Sequence, residues 1–404
     1  MTEAYIVATA RSPIGRARKG SLVDVRPDDL AARMVRAALD KVPALDPRRI
    51  DDLLLGCGQP AGEQGFNLAR IVGVLLGWDG VPGTTVNRYC SSSLQTTRMA
   101  FHAIKAGEGD VFVSAGVESV SRYGAGASDV PDAVNPAFAP SLARTAARAT
   151  VADGAWTDPR AAGALPDPYI AMGQTAENVA QLRGVTREEQ DAFAARSQQR
   201  AEAAIASGFW AGDITPVVLP DGTVVVADDG PRAGVTVDAL AGLEPVFRPD
   251  GTVTAGNCCP LNDGAAAVVV VSDRVVDELG LEPLARIVST GVSGLSPEIM
   301  GLGPVEASRR TLALAGLSID DMDLVEINEA FAAQVIPSAR ELGVDPDRLN
   351  VHGGAIAVGH PFGMTGARIT STLINALAAT GGRYGLETMC VGGGQGMAMV
   401  LERV

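Results

Sequence analysis

The chain states one structural phrase twice. "AYIVATA" (4–10) is a short apolar run of the length of a buried strand. "PDDLAARMVRAALDKV" (27–42) follows, with Leu30, Met34, Ala38 and Leu39 on one helical face and Asp28 or Asp29 as the expected cap. "IDDLLLGCG" (50–58) then reads as a buried strand running into a glycine turn. The same order returns late in the chain. "ARIVSTGVSG" (285–294) is a strand, "PVEASRRTLALAGL" (304–317) a helix, and "IDDMDLVEINEAFA" (319–332) a strand entering a helix. "IDD" begins at 50 and again at 319, and Cys90 and His360 stand 270 positions apart. "GDVFVSAGVES" (109–119) and "LETMCVGGGQG" (386–396) each run a strand into glycine near the end of a half. Alternating strand and helix means an α/β layer, and its repetition means a duplicated domain. Equivalent strand ends then meet across a pseudo-twofold axis, where loops from both halves build one site.

A different composition separates the halves. Residues 120–170 are rich in Ala, Pro and Gly with little periodicity, as in an excursion or lid. "TREEQDAFAARSQQRAEAAIASG" (186–208) is a helix, opened by a Thr186/Glu189 capping box and closed before Gly208. Residues 212–236 are strand and turn material. The expected division is a first half over 1–118 and 249–274, an inserted cap over 119–248, and a second half over 275–404. A chain of 404 residues exceeds what one core usually manages, which agrees with such a division.

Charge and composition exclude several classes. A net charge of −14 argues against nucleic acid or an anionic membrane as the main partner. No stretch approaches the roughly 18 apolar residues of a membrane span. The N-terminus reads as a first strand with no basic region ahead of a long apolar one, so no signal peptide is expected. Five cysteines without a regular framework suit a reducing, cytoplasmic setting. Cys258 and Cys259 are adjacent, which is not metal-ligand spacing, and no metal site is expected.

The chemistry gathers where strands give way to helices. Cys90, in "VNRYCSSSLQ", stands where an apolar stretch meets a helix begun by Ser91, Ser92 and Ser93, whose N-terminal field favours a thiolate. Only three histidines exist, His102, His352 and His360; the last two lie in the glycine-rich turn "HGGAIAVGHPFGMTGAR" (352–368), ahead of a helix beginning near Thr365. Cys390 ends a strand before three glycines, and Asn328 opens "NEAFA" at another such junction. Taken singly, each cysteine is more often core, and a histidine in a glycine turn is more often structural.

Taken together, "NRYCSSSLQ", "YIAMGQTAENVA", "TAGNCCPLNDGAAAV", "NEAFAAQ", "GGAIAVGHPFGMTGAR" and "CVGGGQGMAM" resemble the thiolases in order and approximate spacing over about 390 residues. The resemblance implies a duplicated α/β/α/β/α layered fold with an inserted cap, and CoA-dependent cleavage of 3-ketoacyl-CoA. It implies Cys90 as nucleophile and acyl carrier, His360 as its proton acceptor, and Cys390 as a second acid and base. Asn328 would hold a water that forms one oxyanion site with His360; the backbone N–H groups of Cys90 and Gly392 would form the other. Arg232, Met172, Cys259 and Phe331 would meet CoA or the acyl chain. Coenzyme A would be a co-substrate with no tightly bound cofactor, and a homodimer or homotetramer is expected.

Some positions depart from the family pattern. Ser91-Ser92-Ser93 replaces a common Gly-Ser-Gly, Ala171 stands where several short-chain members carry histidine, and Cys259-Pro260 replaces a Ser-Gly pair. Ala171 would leave room for a larger acyl group. His352 reads as structural, His102 as packing or solvent-facing, and Cys57 as core. The rival readings are a short-chain acetoacetyl-CoA thiolase, a condensing ketoacyl synthase and an acyl-CoA-binding scaffold without turnover. Cys390 favours thiolase over synthase, because synthases generally place histidine or asparagine there.

Overall fold

A computed structural model describes residues 2–130, 133–150 and 155–404. Its strands are β1 (Ala4–Arg11), β2 (Gly15–Arg16), β3 (Asp52–Gly56), β4 (Gly83–Val86), β5 (Val111–Ser119), β6 (Val217–Val218), β7 (Val224–Val225), β8 (Asn262–Ser272), β9 (Ala285–Gly294), β10 (Leu324–Ile327), β11 (Tyr384–Val391) and β12 (Gln395–Arg403). One path of paired strands runs β10-β11-β12-β9-β1-β8-β5-β3-β4.

That path reads alike outward from its middle. From β1 the neighbours are β8 antiparallel, β5 antiparallel, β3 parallel and β4 parallel. From β9 they are β12 antiparallel, β11 antiparallel and β10 parallel, then a parallel bridge from Val325 to Leu349. The two runs are joined in the ladder by Tyr5 opposite Arg286 and Ile6 opposite Ala285. The doubled phrase of the sequence is thus a doubled sheet order.

Three cores separate the layers. Successive residues of a strand point to opposite faces. Along β8, Ala266, Val268 and Val270 face one core while Ala265, Ala267, Val269 and Val271 face another. Along β12, Met397, Met399 and Leu401 face the shared core, and Ala398 and Val400 the third. A strand buried on both sides needs no polar alternation. Each valine fully buried there contributes about 1.5–3 kcal/mol. The shared core holds helices Ser92–Ala106 and Thr365–Thr380, one from each half. They approach closely enough for the Ser93 hydroxyl to accept from Ala367 N–H at 2.9 Å. A side chain at Gly366 would collide with the backbone of Leu94. These two helices begin just after Cys90 and just after the His360 turn, so their packing draws both turns to one place.

Several local expectations shift. The first helix spans Pro27–Leu39 with Arg26 at the N-cap; neither Asp28 nor Asp29 caps it, and Asp28 instead pairs with Arg26 at 2.8 Å. Pro27 supplies the start, because its missing N–H would have lacked a partner there anyway. The strand expected over 50–58 is limited to Asp52–Gly56. The 120–170 stretch holds a helix, Ala139–Ala149, that its alanine and proline content concealed; 131–132 and 151–154 lie outside the described residues. The Thr186/Glu189 capping box is present, opening helix Arg187–Ala206.

Charges are buried between the layers. Arg11, fully buried, pairs with Asp213 at 2.5 Å and Asp228 at 2.7 Å. Glu326 and Glu387 lie directly opposite on β10 and β11, with Arg368 near both. Burial pushes Glu326 up to about 8, against the pull of Arg368, and pushes Glu387 higher as well. Burial thus disfavours a negative charge on either carboxyl, and Glu387 keeps one hydrogen bond, from the Thr370 hydroxyl at 2.8 Å.

Candidate active site

Cys90 occupies a tight turn, Tyr89–Ser91, just ahead of helix Ser92–Ala106. Tyr89 takes a φ of 43°, in the left-handed region, which bends the chain sharply before the cysteine. Cys90 is buried, and the backbone N–H groups of Gly392 and of Cys90 itself lie near enough to its sulfur to favour a thiolate. Burial nevertheless pushes the thiol up to about 12. The helix field expected to favour a thiolate does not prevail, because desolvation of an enclosed sulfur outweighs it.

His360 is buried in the turn between helices Ala355–Val358 and Thr365–Thr380. The Thr365 hydroxyl donates to the Pro361 carbonyl at 2.7 Å and lies 2.6 Å from His360 Nδ1. A hydroxyl that has spent its proton accepts there, so Nδ1 carries the hydrogen and Nε2 is the acceptor nitrogen, with the Asn328 amide nitrogen 3.3 Å away. Burial, aided by the charge of Arg368, lowers His360 to about 3. Burial therefore favours the neutral thiol at Cys90 and the neutral imidazole at His360.

Asn328 closes β10, its N–H donating to Thr388 at 3.0 Å. Its Nδ2 lies 3.3 Å from His360 Nε2, while its buried Oδ1 has no hydrogen-bond partner among the described residues. Cys390 is fully buried on β11, opposite Gly396; burial and then the nearby Cys90 push its thiol up. Gly392 to Gly394 turn β11 into β12, with Gly393 and Gly394 at φ of 78° and 82°, where a side chain would be strained.

The residues implicated in substrate contact are less closely joined. Cys259 N–H donates to the Ala330 carbonyl at 3.0 Å, and its thiol is near enough to Cys90 and Cys390 to feel their charge. Phe331 bridges to Cys258 and meets Phe247 edge-on at 6.2 Å. Met172 opens helix Met172–Arg183 and packs, with Cys258, Cys259 and Phe247, against the core containing Phe331 and Cys390. Arg232 is held through its backbone N–H to Gln198 at 2.9 Å, and no contact joins it to the thiols. His352 stacks on Phe209 at 3.6 Å, the structural role expected of it. A cavity of about 480 Å³, lined by Thr9, Lys41, Asp213, Ser371 and Asn375, contains none of these residues. Chemistry, not volume, locates this site.

Three buried residues were not singled out from the sequence. Glu329 accepts from Ser197 at 2.6 Å, Asn350 at 2.8 Å and Ile356 N–H at 3.1 Å, tying the "NEAFA" turn to the cap helix and the glycine turn. Glu118 and Asn262 bond the His360 turn. The signal was available: an acid or amide closing a run as apolar as "VFVSAGVE" must be hydrogen-bonded internally.

A buried thiol facing two backbone N–H groups, with a neutral imidazole and a second thiol nearby, is equipment for covalent acyl transfer. Comparison with known proteins makes the class specific. The N-terminal thiolase domain model matches residues 4–274 and the C-terminal one residues 281–403. The chain belongs to the thiolase family, acyltransferases that use coenzyme A as a substrate. It is 46% identical to the 3-oxoadipyl-CoA/3-oxo-5,6-dehydrosuberyl-CoA thiolase of Escherichia coli strain K12, covering 100% of both chains. It is 44% identical to the 3-ketoacyl-CoA thiolase of Bacillus subtilis strain 168, again over 100% of both. The crystal structure of the Bacillus anthracis acetyl-CoA acetyltransferase superposes with a TM-score of 0.86 at 39% identity, over 100% of this chain and 99% of that one. The layered fold expected from the sequence is the fold found. No described helix is long and apolar enough to cross a membrane.

Proposed function

We propose that this thiolase works in the degradative direction on 3-ketoacyl-CoAs longer than four carbons, in a fatty-acid-type β-oxidation in the cytoplasm. The observation that carries the catalytic assignment is the Cys90 sulfur beneath the Gly392 N–H, with Cys390 near enough to feel its charge. Cys90 gives its proton to His360 Nε2 and attacks the 3-keto carbon. The bond between C2 and C3 breaks, its electrons passing to the acetyl-CoA enolate, which Cys390 protonates at C2. The Cys390 thiolate then takes the proton of a second CoA's thiol, whose sulfur attacks the Cys90 thioester; as the shortened acyl-CoA leaves, His360 returns its proton to Cys90 and the free enzyme is restored. Asn328 with His360 holds one developing oxyanion, and the N–H groups of Cys90 and Gly392 hold the other. Residues 119–248 act as the cap over CoA and the acyl chain, with Arg232, Met172, Cys259 and Phe331 as contacts.

Chain length rests on Ala171. It is exposed at the N-cap of helix Met172–Arg183, where it presents a methyl group in place of a larger side chain. The names borne by the relatives include an acetyl-CoA acetyltransferase, so a short-chain enzyme is the second reading. The test is CoA-dependent cleavage of a graded set from acetoacetyl-CoA upward, including 3-oxoadipyl-CoA and a ring-bearing substrate. We expect kcat/KM to rise beyond four carbons. Turnover of acetoacetyl-CoA alone would retire the role given to Ala171.

The protein acts as a dimer, or a pair of dimers, joined through β4. This strand ends the path of paired strands, and its outer side pairs with no described strand, only the Gly83 carbonyl being met there, by Asn67 Nδ2 at 2.8 Å. Phe66 (91% exposed), Val74 and Leu75 lie just before it in sequence, apolar and open to water. A twofold pairing of β4 with its copy covers both. Phe66→Glu combined with Leu75→Glu should convert the sedimenting species to a monomer; a wild-type monomer at micromolar concentration would end this proposal.

A further inference from the structure

The His360 turn belongs to the second half of the chain, yet its backbone hangs from two side chains of the first. The N–H of His360 itself donates to Asn262 Oδ1 at 2.9 Å, and the N–H of Gly363 donates to Glu118 Oε2 at 2.9 Å. Both supporting residues are fully buried, at the end of β5 and the start of β8, where Glu118 lies two positions past Gly116 and faces Gly264 in the ladder. Asn262 is itself fixed by its Nδ2 on the Gly15 carbonyl at 3.0 Å. The approach between turn and strands is tight. A side chain at Gly116 would strike the Gly363 carbonyl, and one at Gly264 would come within 2.6 Å of Met364 Sδ.

Glu118 is surrounded by donors alone. Gly58 N–H reaches Oε2 at 2.7 Å; Tyr123 O–H at 2.7 Å, Gln59 N–H at 3.2 Å and Gln64 Nε2 at 3.2 Å reach Oε1; Cys57 S–H lies 3.9 Å away. Burial pushes the carboxyl up, and the hydrogen bonds from Tyr123, Gly58, Gly363 and Gln64 oppose it. A glutamine cannot replace it quietly, because its NH2 would face a donor in either orientation.

We propose that Glu118 and Asn262 are positioning residues, a clamp from the first half that holds the His360 turn in register with Cys90. They do not touch the reacting atoms. Displacing a catalytic group by about 1 Å costs on the order of 100-fold in rate, so the clamp sets how well His360 can take the thiol proton.

The test reads Cys90 without substrate: the rate of its alkylation by iodoacetamide across pH, located by mass spectrometry, in the whole enzyme. Glu118→Gln should slow alkylation at neutral pH by about 10- to 100-fold, with the CoA dissociation constant little changed and the thermal midpoint lowered by the amide that faces a donor. Its pH profile should approach that of His360→Ala, and Glu118→Gln in the His360→Ala background should slow it no further. Additive losses, or a wild-type rate in Glu118→Gln, would overturn the proposal. If Glu118→Gln does not fold, Asn262→Ala is judged by the same cycle. The clamp rests on the proposed catalytic roles but is separable from the substrate assignment. A wild-type enzyme that cleaves no 3-ketoacyl-CoA, yet shows the non-additive alkylation, ends that assignment and keeps the clamp.

Discussion

Cys90→Ala should reduce cleavage of any accepted 3-ketoacyl-CoA by on the order of 10⁵-fold or more, because no other group is placed to carry the acyl chain. The proposed covalent route depends on one sulfur, near the N–H groups of Gly392 and Cys90. Cys259 feels both reactive thiols but is anchored by its own backbone to Ala330, outside the Tyr89–Ser91 turn. Replacing a buried thiol by a methyl group removes only one heavy atom from the shared core, so a loss of about 1–2 kcal/mol in stability is the upper range. Initial rates, a thermal melt and mass spectrometry after exposure to acyl-CoA check the prediction together. Activity within about 100-fold of wild type, or an acyl adduct elsewhere, would mean that Cys90 is not the carrier.

How much of this could be read from the sequence depends on distance along the chain. The doubled sheet was legible because hydrophobic runs and glycine turns are local signals, and β1 and β9 lie almost where their apolar runs begin and end. The turns that carry Cys90 and His360 and the triple glycine were legible for a related reason: they fall where one element ends and the next starts, and such junctions need small residues. The clamp was not. Glu118 and Gly363 are 245 positions apart, and Asn262 and His360 are 98 apart. No local pattern says which donors an internal carboxylate will meet. The pairing of Arg11 with Asp213 and Asp228 was hidden in the same way. The helix Ala139–Ala149 was missed because its arginines and alanines leave little apolar face; only Ser141 of it is buried.

Cys390→Ala should split the reaction, and the split separates a carbon acid from a carrier. The Cys390 thiol is fully enclosed and held protonated by burial and by the proximity of Cys90. A neutral thiol donates a proton to the enolate carbon in cleavage and, as thiolate, removes one from acetyl-CoA in condensation. Acylation of Cys90 by acetyl-CoA involves no change at C2, and in the proposed mechanism its proton goes to His360 Nε2 rather than to Cys390. The variant should therefore still form the acetyl-enzyme at a rate within about tenfold of wild type. Enzyme-catalysed exchange of C2 hydrogen with deuterated solvent, and acetoacetyl-CoA synthesis, should fall by about 10²- to 10⁴-fold, the usual worth of a positioned acid or base. Equal losses in acylation and in C2 exchange would place Cys390 in support of Cys90 instead. Unchanged exchange would move the carbon acid to another group, and Cys259, half-buried and in reach of both thiols, is the first to replace next.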